Sequence, residues 1–110
     1  MKLRADISHC ENGFDTILSV CQTGPDGIEH EVIIQRSPRE YEAFEDVPGP
    51  KVSCDELGLD IAPGLERIDF SGACMTIVLS GKEKIEVDIS NLTREEQEEL
   101  RVVAKALFRG

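Results

Sequence analysis

A chain of 110 residues with 22 acidic and 12 basic side chains carries a formal charge of −10, and its length fits one domain, residues 1–110, rather than two. A field of that sign repels nucleic-acid phosphates and anionic membranes, and it favours encounters with basic proteins. The hydrophobic fraction of 40% excludes a disordered composition, and no apolar run approaches the ~20 residues needed to cross a bilayer.

The amino terminus, Met1-Lys2-Leu3-Arg4-Ala5-Asp6, meets a carboxylate before an apolar signal segment can form, so the expected address is the cytoplasm. Asn12-Gly13 then supplies the two positive-φ positions of a type I′ turn between strands at about 2–10 and 14–23. That turn pairs Ile7 with Leu18 and Ala5 with Val20, giving one apolar face. Pro25-Asp26-Gly27 suits a three-residue loop before a third strand at about 28–36, which pairs Val20 with Val32 and Leu18 with Ile34.

The second hairpin also decides against a cysteine nucleophile. Its register sets Cys21 opposite Glu31 and His30 opposite Gln22, so the thiol has a carboxylate and not an imidazole as its neighbour. Cys10, Cys21, Cys54 and Cys74 are separated by 11, 33 and 20 residues, matching neither paired knuckles nor a dense disulfide framework. With His9 and His30 they offer zinc-ligand types, but no spacing that preorganises a site. The expectation is free thiols, no metal and no cofactor.

Residues 37–63 change character. Ser37-Pro38-Arg39-Glu40 starts a short helix with Pro38 at its first position, Pro48 and Pro50 end regular structure, and 52–57 reads as a brief strand before a return through Pro63. The segment places Tyr41 and Phe44 among Glu40, Glu42, Glu45, Asp46, Asp55, Glu56 and Asp60. A tyrosine amid carboxylates is recognition chemistry for a basic surface, and a long connection is a common place for it. The partner-binding candidates are therefore Tyr41, Glu42, Glu45, Asp46, Asp55 and Glu56; the competing reading is a solvated acidic loop anchored by its aromatics.

Strand grammar resumes at 65–70, 73–80 and 83–89, divided by Ser71-Gly72 and Gly81-Lys82. The second turn pairs Val78 with Ile85 and Thr76 with Val87, extends that face through Cys74 and Ile89, and leaves Met75 and Ile77 opposite Asp88 and Glu86. The carboxy-terminal helix opens on a capping box, Thr93 with Glu96, and aligns Leu100, Val103, Ala104 and Leu107 on one face. Its glutamates answer the helix dipole and need no ligand. The expected fold is α+β: an antiparallel sheet of about six strands with one C-terminal helix packed on it.

No phosphate-binding glycine loop, dinucleotide fingerprint, paired histidines or nucleophile elbow occurs, and aromatic content is 5% without tryptophan, so an enzyme is not expected. Four stretches follow in order: Val32-Ile33-Ile34-Gln35-Arg36-Ser37, Val52-Ser53-Cys54-Asp55-Glu56, and Gly64-Leu65-Glu66-Arg67-Ile68-Asp69-Phe70 leading into Met75-Thr76-Ile77-Val78-Leu79, then the terminal helix. Together they resemble immunity protein family ten of bacterial polymorphic toxin systems, over most of the chain from Phe14 onward. The resemblance implies a small cytoplasmic antitoxin that binds and blocks a cognate toxin domain without catalysis. The alternative is an acidic structural or ligand-binding module, which as a homodimer would use an unpaired sheet edge or the mixed face around Ile77.

Overall fold

Two segments of this chain each serve two sheets. A computed structural model describes residues 2–42, 44, 49–54, 59–81 and 83–108, with only the backbone described at 39, 42 and 59–63. The elements are β1 (Lys2–Arg4), β2 (Ile7–Asn12), β3 (Thr16–Gly24), β4 (Gly27–Arg36), α1 (Arg39–Glu42), β5 (Lys51–Cys54), β6 (Leu59–Pro63), β7 (Leu65–Ser71), β8 (Cys74–Leu79), β9 (Lys84–Asp88) and α2 (Arg94–Leu107). One sheet has the order β1-β9-β8-β7 and the other β2-β3-β4-β5-β6. All pairings are antiparallel except β1 with β9.

The expected strand at 2–10 therefore bends and divides. The Ala5 amide donates to the Asp88 carbonyl at 2.8 Å, and the next amide, that of Asp6, donates to Cys21 in the other sheet at 2.8 Å. A second bend joins β6 to β7 at Gly64, whose φ of +89° favours glycine. A Cβ there would also strike the Ser80 side chain. With both bends counted, the strand order returns to its start, and the layers enclose one core. The α+β class and the C-terminal helix are as expected. The single sheet of about six strands is instead two sheets with nine strands among the described residues, because the bends redirect pairing. Pro63 does not exclude β6, since it pairs with Lys51 on the last strand of its sheet, where a missing amide is tolerated.

The β3–β4 register is as read, with Val20 opposite Val32, Leu18 opposite Ile34, Cys21 opposite Glu31 and Gln22 opposite His30. Two other registers differ. Between β2 and β3 the loop is Gly13-Phe14-Asp15, and Asn12 pairs with Thr16, whose hydroxyl donates to Asn12 Oδ1 at 3.3 Å. This three-residue shift reverses the faces of β2: Ile7 is half exposed opposite Cys21, while Ser8 and Cys10 turn toward α2. Between β8 and β9 the shift is one residue. Met75 faces Val87 and Ile77 faces Ile85, all four fully buried, whereas Cys74 lies opposite Asp88 and is only partly covered. This register gathers four large apolar side chains that the Gly81-Lys82 turn would have separated, so burial overrides turn preference. It also removes the mixed face around Ile77 as a surface.

Helix α2 bridges the sheets. Its capping box is complete: the Glu96 amide donates to Thr93 Oγ1 at 3.1 Å and the Thr93 amide to Glu96 Oε1 at 2.9 Å. Leu100, Val103, Ala104 and Leu107 enter the core. On one flank the Ser8 hydroxyl reaches Glu96 at 3.5 Å; on the other Arg101 donates to the Gly72 carbonyl at 3.1 Å and lies over the Phe70 ring. The helix end is held by Arg36, which donates to the Leu107 carbonyl at 2.7 Å.

The first bend is held by Asp6. Its carboxylate accepts two bonds from the Arg4 guanidinium at 2.9 Å, the Thr23 amide at 2.9 Å and Asn91 Nδ2 at 3.0 Å. Arg4 first, then the Thr23 amide and Asn91, hold the Asp6 pKa well below its ordinary 3.8. A carboxylate with a depressed folded-state pKa contributes stability that is complete above the ordinary value and disappears as pH falls through the folded one.

Two outcomes test this fold in urea unfolding. Ile77→Ala should cost about 2–5 kcal/mol and Cys74→Ala less than about 1 kcal/mol; the reverse order would restore the register of a Gly81-Lys82 turn. Asp6→Asn should lower the neutral-pH midpoint and flatten the loss of stability on acidification below the ordinary carboxylate range, whereas an unchanged acid slope would remove Asp6 as its source.

Candidate protein-binding surface

The site begins at the end of β4. Pro38 starts α1, and the Tyr41 amide donates to the Pro38 carbonyl at 2.9 Å; the Phe44 amide then donates to Tyr41 at 3.1 Å. This turn carries Tyr41 onto Phe14 of the β2–β3 loop, with ring centroids 5.4 Å apart and planes tilted by 59°. Phe14 is 69% exposed, Tyr41 49% and Phe44 85%. Three of the five aromatic residues in the chain thus face solvent on two neighbouring segments. Burial would favour these rings by a few kcal/mol in total, and solvent-facing aromatics gathered in one region are the composition of interface anchors.

Carboxylates surround them. Asp15 adjoins Phe14 and accepts from Gln35 Nε2 at 3.2 Å, Glu40 is exposed beside Tyr41, and Glu11 is exposed with His9 at 3.0 Å. Residues 40–46, Glu-Tyr-Glu-Ala-Phe-Glu-Asp, contain no basic side chain. Of the residues singled out from sequence, Tyr41 is at this surface and the backbone of Glu42 belongs to α1. Glu45, Asp46, Asp55 and Glu56 lie outside the described residues. Phe14 is the addition: a two-residue Asn12-Gly13 turn would make it a strand residue, while the observed loop sets it at the tip beside Tyr41. Gln35 and Arg36, which lie in the first stretch of the family resemblance, bond Asp15 and the Leu107 carbonyl, which positions the loop and the end of α2.

Two of the cysteines have carboxylate neighbours. Cys21 donates to Glu31 Oε2 at 3.2 Å, a part-buried bond on the sheet face that carries Ile7. Burial, with the nearby Glu99 carboxylate, pushes the Cys10 thiol up to about 12, so it stays protonated and is a poor nucleophile. Among the described residues, no three His, Cys, Asp or Glu side chains are grouped to hold a metal ion. No described helix is long and apolar enough to cross a membrane. What this arrangement offers chemically is aromatic faces for stacking and a negative field around them.

With one tyrosine and no tryptophan, intrinsic emission reports on this surface. Phe14→Ala should increase quenching of Tyr41 by a neutral quencher, and Phe44→Ala should change stability by less than about 0.5 kcal/mol. Unchanged quenching would mean that Phe14 does not cover Tyr41 in solution. Compared with protein-family models and with curated proteins, the chain finds no match.

Proposed function

We propose that this chain is an immunity protein, a non-catalytic antitoxin of the cytoplasm that binds and neutralises a basic toxin domain. The observation that carries the reading is the solvent-facing Phe14–Tyr41–Phe44 cluster in a chain of charge −10. The resemblance to immunity protein family ten, carried by the strand and helix stretches named above, supports it.

Division of labour follows from the chemistry. Net negative charge accelerates encounter with a cationic surface and is screened by salt. The aromatic rings supply desolvated contact area and accept arginine or lysine side chains over their faces, which slows dissociation. Glu42, Glu45, Asp46, Asp55 and Glu56 add carboxylates in the same stretches of sequence, and a toxin that cleaves nucleic acid has a phosphate-binding cleft of matching charge for them to cover.

Co-expression with the carboxy-terminal domain encoded immediately upstream in the source genome tests the reading by cell growth. Toxicity of that domain alone and rescue by this chain are expected; toxicity without rescue would reject the pairing. In the purified complex, neutralising Glu42, Glu45, Asp46 and Asp55 should slow association about tenfold at low ionic strength and flatten its salt dependence. Phe14→Ala with Phe44→Ala should instead act mainly by accelerating dissociation.

A further inference from the structure

The outward face of α2 is the second unexplained surface. Opposite the buried Leu100, Val103, Ala104 and Leu107, the helix exposes Glu95, Glu98, Glu99, Val102 and Lys105. Val102, an apolar β-branched residue, is 60% exposed at the centre of this stripe, and Phe108 is 39% exposed beyond it. Both border an open groove of about 530 Å³ that reaches Ile68 and Phe70 of β7. Apolar surface on the outside of a helix whose inner face is already buried has no role in holding this fold.

The charge pattern of the stripe identifies an occupant. We propose that α2 is a self-association surface on which two copies of this chain pair antiparallel about Val102. Glu99, whose carboxylate also accepts from the Cys10 thiol on the β2 flank, lies three positions before Val102 and Lys105 three positions after it. At ~1.5 Å of rise per residue, a two-fold axis at Val102 sets Glu99 of one copy level with Lys105 of the other, and does so twice. Glu98, one position further out, is paired with Arg101 of its own helix at 3.4 Å. A parallel arrangement would set Lys105 against Lys105, so the charges select the antiparallel one. The Lys105 side chain has no ion pair with any described residue, which leaves its ammonium available to the second copy. Antiparallel helix dipoles act in the same direction. The two Val102 side chains meet at the axis and leave water together, and each Phe108 extends the apolar strip toward the partner's first turns. This surface is separate from the Phe14–Tyr41–Phe44 cluster, so the proposal does not depend on the function proposed above.

Sedimentation equilibrium of the full chain over a concentration series, at physiological ionic strength, tests it. The expected result is a reversible shift from the 12.2 kDa monomer to twice that mass at high concentration. Val102→Glu, at a solvent-facing position, should weaken the dimer at least about tenfold by burying like charges on the axis. Lys105→Glu should weaken it too, and Glu99→Lys combined with Lys105→Glu should restore it, because the swap regenerates both intermolecular pairs; far-UV circular dichroism confirms that each variant is folded. A monomer at every concentration would overturn the proposal. So would a dimer insensitive to Val102→Glu, or one broken by Lys105→Glu and not recovered by the swap.

Discussion

Consecutive amides at Ala5 and Asp6 point into different sheets, and the fold depends on that divergence. The Ala5 methyl is fully buried at the turn of the strand, where a larger side chain would meet the core. One residue later the Asp6 carboxylate collects donors from Arg4, Thr23 and Asn91, which belong to β1, the end of β3 and the turn before α2. Three segments far apart in sequence are thereby fixed to one another at the point where the strand changes sheets. Gly64 does the equivalent work at the other bend through backbone conformation instead of a side chain. A single sheet of these strands would expose one apolar face; bent at two places, it folds that face over itself.

Enclosure determines where chemistry can occur. Met75, Ile77, Ile85, Val87, Leu18, Val20, Val32, Ile34 and the inner face of α2 fill the space between the layers. Among the described residues, every buried side-chain nitrogen and oxygen has a hydrogen-bond partner. An interior of this kind stabilises the fold. The charged residues consequently face outward, and the features that exceed what solubility requires are also outside: a cluster of rings at the β2–β3 loop and an apolar stripe on α2. Surface aromatics cost a soluble protein in aggregation risk, and the dense negative charge around them offsets that risk by keeping copies apart at this end of the molecule.

Legibility of the fold in the sequence followed the range of the forces involved. Pro25-Asp26-Gly27 specifies its turn locally, and the β3–β4 register that depends on it is as expected. Thr93 and Glu96 specify the start of α2 just as locally, and the helix begins there. Asn12-Gly13 and Gly81-Lys82 carry equally good turn signals, yet neither sets its register: the first hairpin closes on a three-residue loop and leaves Ile7 half exposed, and the second shifts by one residue so that Met75 and Ile77 face the core. In the second hairpin a preference worth a fraction of a kilocalorie in the turn yields to the several kilocalories gained by burying large side chains. The parallel pairing of β1 with β9 joins residues 2–4 to 86–88, and nothing local announces it. The same distinction applies to the site. Tyr41 stands out in sequence because carboxylates surround it, whereas Phe14 joins it only through the loop geometry that the turn signal misstates.

Charge and rings at this surface have different tolerance for change, and under the proposed function that difference bears on how a partner would be kept. Coulombic steering depends on the sum of many carboxylates over a Debye length of ~8 Å at physiological ionic strength, so individual acidic positions can vary while the encounter rate persists. Ring contacts act over a few ångströms and require the β2–β3 loop and α1 to keep their mutual placement. That placement descends from Gln35 on Asp15 and from Arg36 on the end of α2, two adjacent residues at the end of β4 that tie the loop to one side and the helix to the other. Under the proposed function, discrimination between related basic partners would reside in the short-range part, in Phe14, Tyr41 and Phe44 and the pair that positions them, while the acidic field would set only the rate of encounter.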